Sequence, residues 1–545
     1  MSDAPEPTDG ARVAPAWVLV GSFAGALALV LALFGFPGAG REAARPDARE
    51  AVDAGVSLAR ADRRVDLRPR EEPVYDEARL VELGHALDRI LGNWTGKVRH
   101  SIAVTDPATG QELYLRSAER ALVPASNEKV LTGAAIYDRL GPDHRLETIF
   151  SARGAYRDGV IDGDLVVEGG GDPTVSSRYV DGDASEPERA MAAMDAVASR
   201  LHAAGLRRVD GDLIVWRSPF TGPRRGEKWP QDAYLFPWMV EVVALPFNDN
   251  RIIVDCSVAT DRAESRLAPD VGFGTLRNRL DLTGSKGQHR IVVTRADDRS
   301  AFTVSGKLWS HGKGAQHEVN VADGGLYYLH ALREALRRRG IPVKGEIRRA
   351  RGDREEKVTE IWRRRVPVSR VVPPMLKLSQ NLYAELLFRV LARGTGEEAS
   401  FEGASRAMRA WLSDRGIDAR GDAIMDGSGL SRGNAVSARL LVDVLAVMHR
   451  APTGAAFREA LAEPGEEGTL KKRMAGLRGR VFAKTGTLNG ISSLSGYVRT
   501  EDGRWISFAV IFNGCDTGEA RRKQDQICER LARLVAARAP AGAGR

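Results

Sequence analysis

Residues 123–140 read VPASNEKVLTGAAIYDRL and are followed by Gly141-Pro142. The helix-forming run and its Gly-Pro stop predict a helix over Ser126–Leu140. Positions i and i+3 of a helix share a face, so the Ser126 hydroxyl and the Lys129 amine can meet. A serine hydroxyl is a poor nucleophile until a neighbouring base takes its proton, and a lysine of lowered pKa is such a base. S-x-x-K alone is a weak signal. Ser310-His311-Gly312-Lys313 repeats it in a predicted loop with no amphipathic helix behind it, and reads as a chance match. Two further elements follow in the chain. Ser379-Gln380-Asn381, taken alone, reads as an ordinary helix N-cap serine. Lys484-Thr485-Gly486 occurs once, followed by Thr487, at a predicted strand end. Its small residues let a substrate backbone lie alongside, and its lysine supplies a cation near the nucleophile; alone, a surface lysine before a turn is the simpler reading.

Around the first element, Leu80–Leu91 has helical periodicity, and Ser101–Asp106 with Glu112–Arg116 reads as a hairpin across a Pro-Ala-Thr-Gly turn. Near the far end, Val481–Ala483, Leu494–Thr500 and Trp505–Asn513 read as strands, and a helix runs from about Gly518 to Ala537. Two strands early and three late predict one antiparallel sheet flanked by helices, with everything between them inserted. That middle, from about residue 146 to 365, is richer in short apolar runs and turns. Asp162-Gly163-Asp164-Leu165-Val166-Val167 and Asp210-Gly211-Asp212-Leu213-Ile214-Val215 are two similar turn-to-strand entries, too few for a solenoid. Gly169-Gly170-Gly171-Asp172-Pro173 lacks the spacing of a phosphate loop and reads as a turn.

The composition of all 545 residues sets the outer limits. It is 43% hydrophobic and 28% charged, which excludes wholesale disorder, and the length implies several domains. A net charge of +8 is thin for this size and gives no ground for a nucleic-acid partner. Of 80 basic residues only 13 are lysine, so each lysine invites a question, since arginine cannot lose its proton. Ala16–Phe36 carries no charge over 21 residues, enough to span a bilayer, and reads as an uncleaved signal anchor in preference to a cleaved signal peptide. Flanking arginines lie on both sides, so charge leaves its orientation open. Three cysteines exclude a disulfide framework; Cys515 and Cys528 are near enough in sequence to pair, but free structural cysteines are the favoured reading. The nine histidines show no H-x-x-x-H or H-E-x-x-H spacing, so neither a metal nor another cofactor is expected.

S-x-x-K, S-x-N and K-T-G in this order match the serine penicillin-recognising set. With Pro124-Ala125-Ser126-Asn127, Ser379-Gln380-Asn381-Leu382-Tyr383-Ala384-Glu385, Asp426-Gly427-Ser428-Gly429-Leu430-Ser431-Arg432, Gly468-Thr469-Leu470 and Ala483-Lys484-Thr485-Gly486-Thr487-Leu488, the chain resembles the low-molecular-mass class C penicillin-binding proteins from about residue 76 to 537. These are D-alanyl-D-alanine carboxypeptidases and endopeptidases. The resemblance implies an α+β fold, a transpeptidase/β-lactamase-like domain with a five-stranded antiparallel sheet. A large insertion holding two smaller nested, β-rich domains splits it. The separation of Ser126 and Ser379, 379 − 126 = 253 residues, fits that insertion, whereas class A β-lactamases have a much shorter gap. The expected layout is a cytoplasmic segment 1–15, the anchor 16–36, a linker 37–74, and a catalytic domain 75–145 plus 365–538. An inserted domain II spans 146–172 plus 248–364, a nested domain III 173–247, and a tail 539–545.

The resemblance also assigns roles. Ser126 would attack the carbonyl of the penultimate D-alanine, with Lys129 as general base, its pKa lowered by nearby Lys484 and by partial burial. Ser379 would relay the proton, Asn381 would hold Lys129 and the substrate amide, and Lys484 with Thr485 and Gly486 would receive the substrate carboxylate. The N–H groups of Ser126 and Thr487 would form the oxyanion hole. Arg432 is a candidate grip for an acidic stem-peptide side chain, and Asp232 for that chain's amine. Gln380 stands where aspartate is common, at a position that does not take part in the reaction. The partners implied are peptidoglycan stem peptides, β-lactams as covalent inhibitors, and the inner membrane through the N-terminal span. The body would then face the periplasm. A β-lactamase would need a loop of E-x-x-x-N type to position a deacylating water, and none is seen. A catalytically idle wall binder is the other rival, against which the retained catalytic side chains argue.

Overall fold

The computed structural model describes residues 74–230, 234–239, 241–296, 300–350 and 357–536. The expected N-terminal segment 1–15, anchor 16–36, nearly all of the linker, the tail 539–545 and Asp232 lie outside the described residues. Among the described residues no helix is long and apolar enough to cross a membrane.

Five strands form the expected antiparallel sheet, in the order Val481–Leu488, Ile491–Arg499, Trp505–Asn513, Arg99–Thr105, Glu112–Arg116. The early hairpin pairs with the last strand in register, Arg99 opposite Asn513 and Thr105 opposite Ser507. The two interior late strands are buried almost throughout, because helices cover both faces. Alternation then sorts their side chains. Phe508, Val510 and Phe512 pack with Leu83 and Leu87 of helix Glu77–Leu91 and with Ile527 and Leu531 of helix Thr517–Ala532. Ala509, Ile511 and Ala103 face the other way, into the helical core that holds Val130, Ala134 and Leu445. The residues on that second face are mostly small, and helix Ala438–Arg450 packs directly on them, with the helix carrying Lys129, Glu128–Arg139, behind it.

One strand runs further than expected. The sequence predicts strand only over Val481–Ala483, yet pairing continues through Leu488, with Lys484 opposite Ser495 and Thr487 opposite Ser492. The polar Lys-Thr-Gly-Thr stretch hides this continuation from a hydrophobicity reading, because here a strand carries chemistry instead of core.

The inserted residues form three sheets around one core of their own. The largest contains Ile347–Arg349, Leu213–Val215, Val160–Gly169, Arg145–Arg157 and Thr359–Pro367 in that order, with Arg208–Val209 beside Val160–Gly169. Its centre is made by the two similar sequence entries, which lie side by side in parallel, Leu165 opposite Leu213 and Val167 opposite Val215. Each acid holds the next strand. Asp164 Oδ1 accepts the Asp212 N–H at 2.6 Å, and Asp212 Oδ1 accepts the Glu346 N–H at 2.8 Å. Gly345-Glu346-Ile347 thus continues the series as a third rung.

This arrangement corrects the expected nested domain at 173–247. Strands Arg208–Val209 and Leu213–Val215 do not separate from 146–172; they are built into the same sheet. The segment that does form sheets apart is Arg251–Asn320. One sheet orders Ala315–Asn320, Arg251–Ala259, Arg262–Ala268, and the other Arg290–Arg295, Ala301–Trp309, Thr275–Thr283. Strand pairing between distant entries, not local texture, decides the division.

Replacing Asp164 by alanine removes the acceptor for the Asp212 N–H and the partner of Arg153. Equilibrium urea unfolding of Asp164→Ala is expected to show a loss of about 1–3 kcal/mol, and an unchanged midpoint would contradict the carboxylate ladder.

Candidate active site

Ser126 lies in the short 3-10 turn Ala125–Asn127 that opens onto helix Glu128–Arg139, and it is half-buried. Lys129, one turn later, is fully buried, as is Lys484. A buried ammonium must find an acceptor for each proton. Lys129 Nζ donates to Ser126 Oγ at 3.0 Å, to Asn381 Oδ1 at 2.7 Å and to the Ser428 carbonyl at 2.6 Å. Lys484 Nζ donates to Ser379 Oγ at 3.0 Å and to the Thr485 carbonyl at 2.7 Å. The three sequence elements therefore converge: Ser126 from the 3-10 turn and Lys129 from the helix after it, Ser379 and Asn381 from just before and at the start of helix Asn381–Gly394, Lys484 from the sheet.

Local geometry is held under strain. Ala125, just before Ser126, and Ser379 have φ of 49° and 63°, the left-handed region that non-glycine residues seldom occupy. Such conformations persist only where the surroundings enforce them. At Ala125 the enforcement is visible. Gly429, φ 82°, packs so closely on the Ala125 carbonyl that a side chain there would collide with it.

Asn127, the first unnamed position of S-x-x-K, ties the Ser126 turn to the sheet. Its Nδ2 donates to the Lys484 carbonyl at 3.1 Å and to Ser493 Oγ at 2.7 Å, and its Oδ1 accepts from Ser495 Oγ. Ser493 Oγ in turn donates to the Pro124 carbonyl at 2.6 Å. Gly486 sits against this knot, and a β-carbon there would meet Ser493 Oγ, the Pro124 carbonyl and Asn127 Nδ2. The glycine of K-T-G is thus required by the approach of the Ser126 turn.

Sequence reasoning assigned no role to the acids behind the lysine. Glu385 accepts the Gly427 and Ser428 N–H groups at 3.1 and 2.8 Å, aiming the Ser428 carbonyl segment at Lys129. Asp426 accepts from the Gly429 and Ser431 N–H groups, Asn434 Nδ2 and Trp229 Nε1, all within 2.8 Å. Glu128 is fully buried with neither carboxylate oxygen hydrogen-bonded. The motifs carrying the first two, SQNLYAE and DGSGLSR, were visible; their burial was not.

Burial and these charges set the lysine. Burial lowers the Lys129 pKa to about 8, with Glu385, Asp426 and Glu128 pulling it back up. That burial is complete, where partial burial is expected. The Lys484 pKa is held well below the ordinary range, by burial first and by the Lys129 ammonium second. Burial pushes Glu385 up to about 8, with Asp426 adding to it, and burial likewise raises Glu128 well above the usual carboxylate range.

The insertion reaches this centre. The Trp238 carbonyl accepts from Asn381 Nδ2 at 2.8 Å, and Tyr383 donates to Asp249 at 2.8 Å. Of the remaining expected residues, Thr485 is half-buried and Thr487 exposed on the same strand. Arg432 is exposed, its Nη2 3.4 Å from the carbonyl of Asn489 in the hairpin just beyond that strand. Cys256, Cys515 and Cys528 are free thiols.

Residues 84–534 match the D-Ala-D-Ala carboxypeptidase 3 (S13) peptidase family, and the chain belongs to that family. It is 31% identical over 487 residues to a D-alanyl-D-alanine carboxypeptidase of Actinomadura sp. (strain R39), covering 86% of this chain and 87% of that one. It is 24% identical over 413 residues to the D-alanyl-D-alanine carboxypeptidase DacB of Haemophilus influenzae, covering 74% and 82%. The crystal structure of penicillin binding protein 4 (dacB) from H. influenzae superposes with a TM-score of 0.68 at 22% identity, covering 82% of this chain and 98% of that one. That likeness establishes the shared fold.

Gly486→Ala is expected to lower the acylation rate at Ser126 roughly 100-fold or more, read as the rate of covalent labelling by a fluorescent penicillin. Labelling at the wild-type rate would show that the nucleophile turn does not need this close approach.

Proposed function

We propose that the chain is a serine DD-peptidase that hydrolyses D-Ala-D-Ala ends of peptidoglycan stem peptides, D-Ala-meso-diaminopimelate cross-links, or both, through an acyl-enzyme on Ser126. The observation that carries this reading is the single, fully buried lysine, Lys129, hydrogen-bonded at once to Ser126 and Asn381. As an ammonium it uses all three protons on its three acceptors. Once it loses one, the freed lone pair faces Ser126 Oγ and can take the hydroxyl proton.

The Ser126 oxygen then bonds to the carbonyl carbon of the penultimate D-alanine. The N–H groups of Ser126 and Thr487 hold the developing oxyanion. The C–N bond breaks as the amine leaves with a proton delivered through Ser379, which Lys484 orients at 3.0 Å. Lys484, Thr485 and Gly486 line the strand against which the substrate carboxylate would lie. Water attacks the ester in the reverse sense and frees Ser126. Carboxypeptidase and endopeptidase action share this acyl-enzyme and differ only in the amine released. A β-lactam enters as a mimic of the D-Ala-D-Ala end, acylates Ser126 and leaves slowly. Arg432, exposed beside the hairpin that follows Thr487, and Asp232 would grip the acidic and amino ends of the stem side chain. The body works on the periplasmic side of the cytoplasmic membrane, with Ala16–Phe36 as its anchor.

Incubation with purified muropeptides tests the reading: free D-alanine or resolved cross-links are expected, and neither product from Ser126→Ala. No covalent penicillin label on the wild-type protein would overturn the acyl-enzyme, and rapid loss of the label would favour a β-lactamase. Lys129 must be neutral to act, so kcat/KM is expected to rise as pH rises through about 8. Lys129→Arg keeps the charge but cannot release the proton, and a loss of roughly 100-fold or more is expected; a flat profile would remove Lys129 as the base.

A further inference from the structure

The three-stranded sheet Thr275–Thr283, Ala301–Trp309, Arg290–Arg295 takes no part in the chemistry at Ser126. Its inner face is accounted for: Leu280, Phe302, Val304 and Leu308 are buried in the core of the insertion. Its outer face is open and has a regular pattern. The register aligns Arg277 with Thr303 and Thr294, Arg279 with Ser305 and Val292, and Asp281 with Lys307 and Arg290. Strands lie about 4.8 Å apart and alternate residues about 6.7 Å apart along each strand. Four cations therefore stand on one flat surface against a single carboxylate, a local charge of 4 − 1 = +3.

These cations are uncommitted. None of Arg277, Arg279, Arg290 and Lys307 forms an ion pair among the described residues; Lys307 reaches only Gln288 Oε1, at 3.4 Å. The neighbouring sheet behaves differently. Arg262 and Arg266, on its exposed strand, pair with Glu264 and Asp255 at 2.6 and 2.9 Å. Past the last row, the Lys286 ammonium lies 5.5 Å from the Trp309 ring centroid and adds another positive charge. Guarding a sheet edge against pairing explains charge on an edge strand. It does not explain Lys307 on the central strand, nor charge of one sign across all three strands.

We propose that this face docks the polyanionic peptidoglycan strand, a second foothold on the polymer whose stem peptides enter the site at Ser126. The inference rests on the reading of the chain as a peptidoglycan peptidase. Stem peptides repeat carboxylates along the polymer, which suits a row of forked donors with hydroxyls between them. An anionic lipid surface is the less suited occupant. Val292 is the one large hydrophobic side chain exposed on the face, so nothing there would enter a bilayer.

Co-sedimentation of the full-length protein with isolated sacculi, carried on a Ser126→Ala background, tests this. Binding is expected to weaken as salt rises. The variant Arg277→Gln/Arg279→Gln/Arg290→Gln/Lys307→Gln is expected to need about tenfold more sacculi for half-saturation. With Ser126 intact it should release D-alanine from a short soluble peptide at the wild-type rate, which also reports that it is folded. If the fourfold variant loses that activity, Arg277→Gln/Lys307→Gln decides, with a smaller shift in the same direction. Equal sacculus binding by wild type and variant overturns the proposal. So does binding that depends on this face only with vesicles of anionic phospholipid. A wild-type protein inert on the soluble peptide would count against the peptidase reading, while sacculus binding is read separately.

Discussion

The Lys129 ammonium is fully buried, and each of its protons goes to a different part of the chain: Ser126 in the turn just before it, Asn381 and the Ser428 carbonyl. Leaving one acceptor out would strand a buried donor at a cost of about 1–3 kcal/mol, more for a charged group. That constraint explains why segments 252 and 299 residues away must return to within hydrogen-bonding reach of one amine. It also explains the acids behind it. Glu385 and Asp426 hold the turn that presents the Ser428 carbonyl, and their presence keeps the lysine near the middle of the pH scale when burial alone would drive it lower.

The insertion is more than a spacer in this arrangement. Trp229 donates to Asp426, the Trp238 carbonyl receives Asn381, and Arg389 of the catalytic helix donates to the carbonyls of Thr221 and Pro223. Tyr383 ends on Asp249, which Arg178 and Arg251 also hold. The helix bearing Asn381 is thus fixed from both sides, by the catalytic core beneath it and by inserted backbone above. Movement of the inserted residues would reach the reacting groups through these hydrogen bonds and through Phe220, Met239 and Val242, which pack in the catalytic core.

What the sequence disclosed was what local chemistry writes. The helix after Ser126 and the strand Trp505–Asn513 follow from periodicity and stop signals, and Ser126, Lys129, Ser379, Asn381 and Lys484 converge because their motifs demand it. What stayed hidden depends on long-range pairing or on burial. The two Asp-Gly-Asp-Leu entries look alike in sequence, but nothing local says that they lie side by side with Gly345-Glu346 as a third rung, and so the nested boundary was drawn in the wrong place. Asn127 is an unremarked residue inside S-x-x-K until two serines on a distant strand close around its amide. The motif implies a lysine of lowered pKa, but not that the lysine is buried completely.

The catalytic sheet closes by pairing its first strand with its last, Thr105 Oγ1 meeting Ser507 Oγ across 402 residues of sequence. A chain emerging from the ribosome therefore makes Ser126 early, long before the strands that complete its site. The hairpin at Arg99–Arg116 and the helix of Ser126 must wait, apolar faces uncovered, until nearly the whole polypeptide has passed. Contacts this distant in sequence make for slow assembly and prolonged exposure to wrong partners. A peptidase whose active centre appears only with its last strands has no activity to release before its synthesis is complete.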